Sequence, residues 1–247
     1  MSAENGLPQA AQPLLEALES LELRERLVVL LQRLQQACED YGQGLVFANS
    51  LGAEDALLTG LLAECFPDVQ QFVLDTGRLP EETLDVLERM QRRWPQLAVQ
   101  VYYPDAEKLQ AWVAAHSVNA FYRSQELRES CCGVRKLEPL HRALAGRTAW
   151  ITGLRRTQSV TREALEYSQH DDSNGLQKLS PLYDWSETDV WVLLHALKFP
   201  YNRLHDQGYP SIGCAPCTRA VSPGDDPRSG RWWWENPDNR ECGLHPR

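Results

Sequence analysis

The chain has 247 residues, 43% of them hydrophobic and 24% charged, with a net charge of -9. This is the composition of a globular chain long enough for one large domain. It excludes a bilayer span, since no apolar run approaches the roughly 18 residues required, and it argues against a general nucleic-acid binder. Met1–Leu21 carries Glu4, Glu16 and Glu19 and no basic region, so it does not read as a signal peptide and a cytoplasmic location is expected.

Residues 9–41 place Leu14, Leu15, Leu18, Leu21, Leu27, Leu30, Leu31 and Leu34 on repeating faces, which predicts one or two amphipathic helices forming an N-terminal cap over residues 1–43. The period then changes. Gly44–Ala48 predicts a short buried strand, followed by the turn Asn49–Gly52 and a helix over Ala53–Cys65. Gln71–Leu74 predicts a second strand ending at Asp75-Thr76-Gly77-Arg78, with a helix over Glu81–Trp94. Ala98–Tyr102 and Ala149–Thr152 predict two more strands, the latter ending at Gly153, and a helix is expected near Ser186–Leu197. Strands alternating with helices predict an α/β fold, a doubly wound and mostly parallel sheet covered on both faces. Residues 44–235 would form the nucleotide-binding α/β body and 236–247 a mobile tail, in one domain overall. Ligands of such sheets bind outside the carboxyl ends of the strands. The loops Ser50–Asp55, Asp75–Arg78 and Gly153–Arg162 all follow strands and are expected to meet at one edge.

Seven cysteines, an odd number, in a reducing compartment argue against a disulfide framework. Cys131-Cys132 is a tandem pair, and Cys214-Ala-Pro-Cys217 follows about eighty residues later. Four thiolates can hold zinc or an iron–sulfur cluster. Adjacent cysteines suit two corners of a cluster better than one small tetrahedral site. A thioredoxin-like use of the C-x-x-C is an alternative, disfavoured because the motif lies late in the chain. Cys38 and Cys65 fall in apolar helical stretches and read as small core residues. Cys242 is left over in a short polar tail, with His245 three residues on to help form the thiolate. It is either a nucleophile or an exposed bystander.

The basic residues Arg135, Lys136, Arg155, Arg156, Arg162, Arg219, Arg228 and Arg231 lie in or beside loops of the second half, which suggests a small polyanionic ligand. Gly52 permits a tight strand-to-helix turn whose amides favour an anion, although no Walker A lysine follows. Lys136, just after the tandem cysteines, is expected between cluster and substrate. Gly153–Arg162 has the composition of an arginine clamp. Trp232–Trp234 reads as packing. Tyr209, Ser211 and Thr218 flank the C-x-x-C and are expected to shape its surroundings.

Together these segments resemble a known family. Ser50-Leu-Gly-Ala-Glu-Asp55, Leu74-Asp-Thr-Gly-Arg78, Cys131-Cys-Gly-Val-Arg-Lys136, Thr152-Gly-Leu-Arg-Arg-Thr-Gln-Ser159, Ile212-Gly-Cys-Ala-Pro-Cys-Thr-Arg219, Gly230-Arg-Trp-Trp-Trp-Glu235 and Glu241-Cys-Gly-Leu-His245 resemble the bacterial cluster-containing adenylylsulfate reductases of assimilatory sulfate reduction, within the phosphoadenylylsulfate (PAPS) reductase family. The resemblance implies an adenine nucleotide alpha-hydrolase-like fold, related to the ATP pyrophosphatases, and a 4Fe-4S cluster on Cys131, Cys132, Cys214 and Cys217. It implies Cys242 as the nucleophile on the sulfur of adenylylsulfate, with reduced thioredoxin (glutaredoxin in some relatives) releasing sulfite from a cysteine S-sulfonate. Lys136, Arg228, Arg231 and His245 match positions that contact or orient the substrate. Ser50, Gly52, Asp75, Thr76, Gly77, Arg155 and Arg156 match the nucleotide pocket. A homo-oligomer is expected, with no nucleic-acid or membrane partner. Two departures stand out: Ala48-Asn49 where relatives often carry a further Ser or Thr, and Pro80-Glu81 where they carry an aromatic or His and then Pro.

Three other readings compete. The nearest is a reductase of the 3'-phosphorylated nucleotide, or of both nucleotides. Another is an ATP-pyrophosphatase-type enzyme of tRNA thiolation, disfavoured by the charge and the Cys242 tail. The last is a zinc-stabilised nucleotide-binding protein without redox activity.

Overall fold

A computed structural model describes residues 6–158 and 162–235. One six-stranded sheet runs in the order β3-β2-β1-β4-β6-β5. Its strands are β1 (Leu45–Asn49), β2 (Gln70–Leu74), β3 (Val99–Tyr102), β4 (Ala149–Ile151), β5 (Ser168–Asp171) and β6 (Leu176–Leu179). The β1–β4 and β4–β6 pairs are parallel, with Leu45 opposite Ala149 and Ala149 opposite Gln177. β5 runs antiparallel to β6. The α/β class and the mostly parallel sheet are as expected. The β5–β6 hairpin is an addition: Ser168-Gln-His-Asp171 has no apolar alternation, and its order comes from pairing with β6.

The chain divides into two compact units. The first comprises Met1–Phe72, Val86–Gln100 and Gly146–Tyr201; the second comprises Val73–Asp85, Val101–Ala145 and Asn202–Arg247.

In the first unit, α1 (Ala11–Glu16) and α2 (Leu21–Tyr41) form the expected N-terminal helices. Ser20 caps α2 by accepting from the Leu23 amide, and Leu27, Leu30, Leu31 and Leu34 are fully buried along one face. The flank of this face is held by arginines. Arg33 makes a two-pronged contact with Asp184, at 2.7 Å to each oxygen, and Arg26 pairs with Asp189 at 3.0 Å. The helix α3 (Ala53–Cys65) is buried nearly all round, as a helix inside a core must be. Gly60 is obligatory there, because a Cβ would stand 2.2 Å from the Phe199 ring. Ser186 and Asp189 form a capping box that starts α8 (Glu187–Ala196).

The helix α4 (Glu81–Arg93) opens with Glu81 and Glu82 and ends with Arg92 and Arg93, which complements its dipole. The second unit contains α5 (Ala106–His116), α6 (Gln125–Cys132) and α7 (Glu138–Leu144). A π-helical turn, Gly133–Leu137, joins α6 to α7. Trp112, Ala120, Phe121 and Cys131 form one apolar core cluster of this unit, with Leu127, Val134, Cys217 and Trp234 packed against it. No helix among the described residues is long and apolar enough to cross a membrane.

Candidate functional site

In the first unit, chain order reverses across β1 and β4: the strands added after β1 run outward on one side, and β4 pairs on the other. This is the switch point where α/β sheets bind ligands. The loops leaving these two strands are tied together by one carboxylate. Asp55, fully buried in the first turn of α3, accepts the Ser50 amide at 2.6 Å, the Ser50 hydroxyl at 2.5 Å and the Gly153 amide. A Cβ on Gly153 would lie 2.1 Å from the Asp55 Oδ1, so only glycine permits this approach. Burial pushes the Asp55 carboxyl up to about 6 despite the hydrogen bonds from Ser50 and Gly153, with the charge of Glu54 adding to the rise.

The same geometry shows what the departure at Asn49 does. Asn49 is buried, donates to the Thr59 hydroxyl at 2.8 Å and accepts the Leu51 amide at 2.8 Å. The Ser50 and Leu51 amides are thus already satisfied within the loop, while Ser50 itself is exposed and Gly52 half-buried. Leu51, at φ 63, takes the left-handed conformation that the tight turn requires. Arg155 is buried and its guanidinium contacts Glu54 at 2.7 Å and the Thr157 hydroxyl at 2.6 Å, so its internal role is to hold the loop after β4. Arg156 is exposed, donates to the Leu165 carbonyl at 2.6 Å and lies over the Tyr183 ring. Residues 159–161 of the expected clamp lie outside the described residues.

In the second unit, Cys131, Cys132, Cys214 and Cys217 line one cavity together with four cations: Arg78, Arg128, Arg135 and Lys136. Helix α6 supplies the tandem pair, starting from Ser124, which caps it by accepting the Leu127 amide. The π-helical turn then adds the residues that carry Arg135 and Lys136 past the tandem pair. The C-x-x-C turn is closed by the Cys217 amide on the Cys214 carbonyl, 2.9 Å, and by Thr218, whose hydroxyl donates to the Cys214 carbonyl and accepts the Gly213 amide.

The loop after β2 is wired to these thiols. The Thr76 hydroxyl lies 3.2 Å from the Cys214 sulfur, and the Ala215 amide donates to the Arg78 carbonyl. Asp75 caps the Gly77 amide at 2.8 Å, and Gly77 has φ 68. Arg135 donates to the Thr76 carbonyl. Thr76, Asp75 and Gly77 therefore shape the surroundings of Cys214. The Pro80 carbonyl accepts the Thr83 amide at the start of α4.

Burial pushes the Cys217 thiol up to about 12, with Cys214 adding to the rise while Arg231 and Lys136 oppose it. Burial also raises Cys131, against the pull of Arg135. Neutral thiols ringed by cations are poised to become thiolates once a cationic centre binds them. Among the described residues, Arg135 Nε and Trp234 Nε1 are buried without a hydrogen-bond partner. Arg135 lines the cysteine cavity, while Trp234 packs against the apolar core around Cys131, so an electron-rich group held by the four sulfurs would meet an Arg135 donor that is otherwise costly to bury. Four thiols plus an unsatisfied N–H donor is a donor chemistry that fits an iron–sulfur cluster. Among the described residues no three His, Cys, Asp or Glu side chains form a group able to hold a single metal ion.

Arg231 is buried, donates to Ser211 at 3.2 Å and lies over the Trp232 ring. Arg228 is half-buried, and its amide is capped by Asp226 at 2.8 Å. Trp232 is buried, as the packing reading expected. Cys65 is buried and its thiol is pushed up to about 12 by burial; Cys38 is half-buried, at about 11. Cys242 and His245 lie outside the described residues. Sequence reasoning missed Arg78 and Arg128 as cavity residues, and Asp55 as a latch. Arg128 carries a legible signal: it stands three and four residues before the tandem cysteines, on the same helix face.

The sequence pattern described as "Phosphoadenosine phosphosulfate reductase domain" matches residues 44–220. The chain is 48% identical to the adenosine 5'-phosphosulfate reductase of Allochromatium vinosum, over 98% of this chain and 92% of the relative. Among solved structures it is similar to a phosphoadenylyl-sulfate reductase of Candida auris (TM-score 0.66, 24% identity, covering 77% of this chain and 89% of that one). It is also similar to the FMN adenylyltransferase of Candida glabrata (TM-score 0.62, 14% identity, 94% and 83%). At those identities the structures speak for the fold, which is the adenine nucleotide alpha-hydrolase-like fold expected from the sequence. The chain belongs to the phosphoadenosine phosphosulfate reductase family.

Proposed function

We propose that this protein reduces adenylylsulfate (adenosine 5'-phosphosulfate) to sulfite and AMP. The observation that carries the reading is the gathering of Cys131, Cys132, Cys214 and Cys217 with Lys136 around one cavity, in a chain 48% identical to a reductase of that nucleotide. The four cysteines would hold a 4Fe-4S cluster, which when bound supplies a fixed electrostatic environment beside the substrate. Lys136, Arg228 and Arg231 offset the charge of the sulfate and phosphate. In the first unit, the Ser50–Asp55 loop with Gly52, together with Arg156, receives the nucleotide, with Arg155 holding that region in shape; in the second unit Asp75, Thr76 and Gly77 shape the surroundings of Cys214.

The Cys242 thiolate, helped by His245, attacks the sulfate sulfur. The bond from that sulfur to the bridging phosphate oxygen breaks, AMP leaves with the electron pair, and a cysteine S-sulfonate remains. A thiolate of reduced thioredoxin then attacks the Cys242 sulfur and expels sulfite. The second thioredoxin thiol resolves the mixed disulfide, so both electrons come from the dithiol. Glutaredoxin is the alternative donor. This assignment puts the protein in the cytoplasm, in the supply of reduced sulfur for cysteine synthesis, acting as a homo-oligomer.

The test is release of AMP and sulfite from adenylylsulfate with reduced thioredoxin, run beside the 3'-phosphorylated nucleotide. Turnover of adenylylsulfate that is lost in Cys242→Ser supports the reading. Turnover of the 3'-phosphorylated nucleotide alone, or full activity of Cys242→Ser, contradicts it.

A further inference from the structure

Arg128 is 1% exposed and lies on α6, one turn before Cys131 and Cys132. Its guanidinium grips Glu235 with both prongs, Nε to Oε1 at 3.0 Å and Nη2 to Oε2 at 2.8 Å, and the Glu235 side chain is itself 8% exposed. It also lies 4.7 Å from the ring of Trp232, which Arg231 approaches at 4.8 Å. Glu129 stands 3.7 Å away.

The segment Arg231–Glu235 is thereby tied to both cysteine-bearing stretches. Arg231 bridges to Thr218, and the Trp232 amide points to the Cys217 carbonyl, at the C-x-x-C. At the other end Glu235 is held by Arg128, at the tandem pair. Between these ties Trp232 sits at φ 42, a conformation that costs a bulky residue energy and persists only where surrounding contacts over-determine it.

A buried ion pair contributes little stability relative to well-packed apolar side chains, whereas it fixes geometry well. Buried against the Trp232 ring, this pair is an expensive way to fill space. Its position suggests another use. Cys242 stands seven residues beyond Glu235, a stretch that spans at most about 25 Å when fully extended. Small errors in where and in what direction the chain departs would misplace a nucleophile, and misplacement is costly to rate.

Resting on the role proposed above for Cys242, we propose that Arg128 and Glu235 are positioning residues: their ion pair sets the point and direction from which the chain runs to Cys242, and so governs transfer of the sulfonate. The test uses full-length, cluster-loaded protein and two variants, Glu235→Gln and the apolar pair Arg128→Met/Glu235→Leu. Both are mixed anaerobically with adenylylsulfate and no thiol donor, and the rate of the Cys242 adduct is followed by intact mass. AMP affinity, visible absorbance of the cluster, melting temperature and alkylation of Cys242 by iodoacetamide are measured beside it. The expected result is adduct formation slowed about tenfold in each variant, with AMP affinity, absorbance and alkylation within twofold of the parent and, in the apolar pair, a melting temperature within a few degrees of it. Glu235→Gln melts lower because it removes the carboxylate that offsets the buried Arg128 charge, so the apolar pair decides. Adduct formation at the parent rate in both variants overturns the proposal. So does a fall in rate that only tracks loss of absorbance or of melting temperature, since the pair would then be structural. A parent protein that forms no adduct sinks the assignment of Cys242 itself, and this proposal with it.

Discussion

Replacing Lys136 with Ala removes one of the four cations lining the cysteine cavity, which stands next to Arg135 on the π-helical turn after the tandem pair. Weaker binding of adenylylsulfate and a fall of about 10²–10³ in turnover are expected, the scale of losing one electrostatic donor to a developing charge. Steady-state kinetics checks this, and unchanged kinetics refutes the cationic bridge. Asp55 makes a different prediction. Below about pH 6 it becomes protonated and gives up part of its grip on the Ser50 and Gly153 amides. Nucleotide affinity, read by titration with AMP, is therefore expected to drop as pH falls through about 6, and Asp55→Asn is expected to show weak binding without that pH step. The linkage to global stability has the opposite sign. A carboxyl whose folded pKa exceeds its unfolded value binds more protons in the fold, so its contribution to stability declines as pH rises from about 4 to about 6.

At the scale of elements, the N-terminal helices hold to the first unit through Arg33 and Asp184. Burial alone would raise the Asp184 carboxyl, but the hydrogen bond and charge of Arg33 outweigh it and the net shift is downward. A lowered folded pKa gives stability that is present above the unfolded value, near 3.9, and lost as pH falls through the folded one. Asp184→Asn is thus expected to destabilise the protein at neutral pH, with the gap to the parent closing on acidification; denaturant melts at pH 7 and pH 3 measure it. Most elements of this unit were legible in the sequence because burial writes a period. The helix Ala53–Cys65 falls on its expected limits, and the strands at Leu45–Asn49 and Gln70–Leu74 fall within a residue of theirs. The β5–β6 hairpin was not legible, since pairing rather than apolar patterning orders it. Nor was the π-helical turn, for a single added residue leaves no mark on composition.

For the whole molecule, residues with unusual chemistry were easier to read than residues with ordinary chemistry in unusual places. The four cysteines announced a common site by type and spacing, and the fold brings them to one cavity. Arg78, Arg128 and Asp55 did not, because a loop arginine, a helical arginine and a first-turn aspartate are commonplace until the fold places the first at the cysteine cavity and buries the other two. Arg155 shows the converse: a loop arginine that suggested a phosphate clamp is occupied by Glu54 and Thr157.

The central claim is a two-step transfer through one thiol. Its most direct test is intact mass and peptide mapping after anaerobic incubation of the cluster-loaded protein with adenylylsulfate and no thiol donor. A sulfonate on Cys242, released as sulfite when reduced thioredoxin is added, is the expected result. Sulfite formed with Cys242 never modified, or no adduct with either nucleotide while the cluster remains intact, would contradict it.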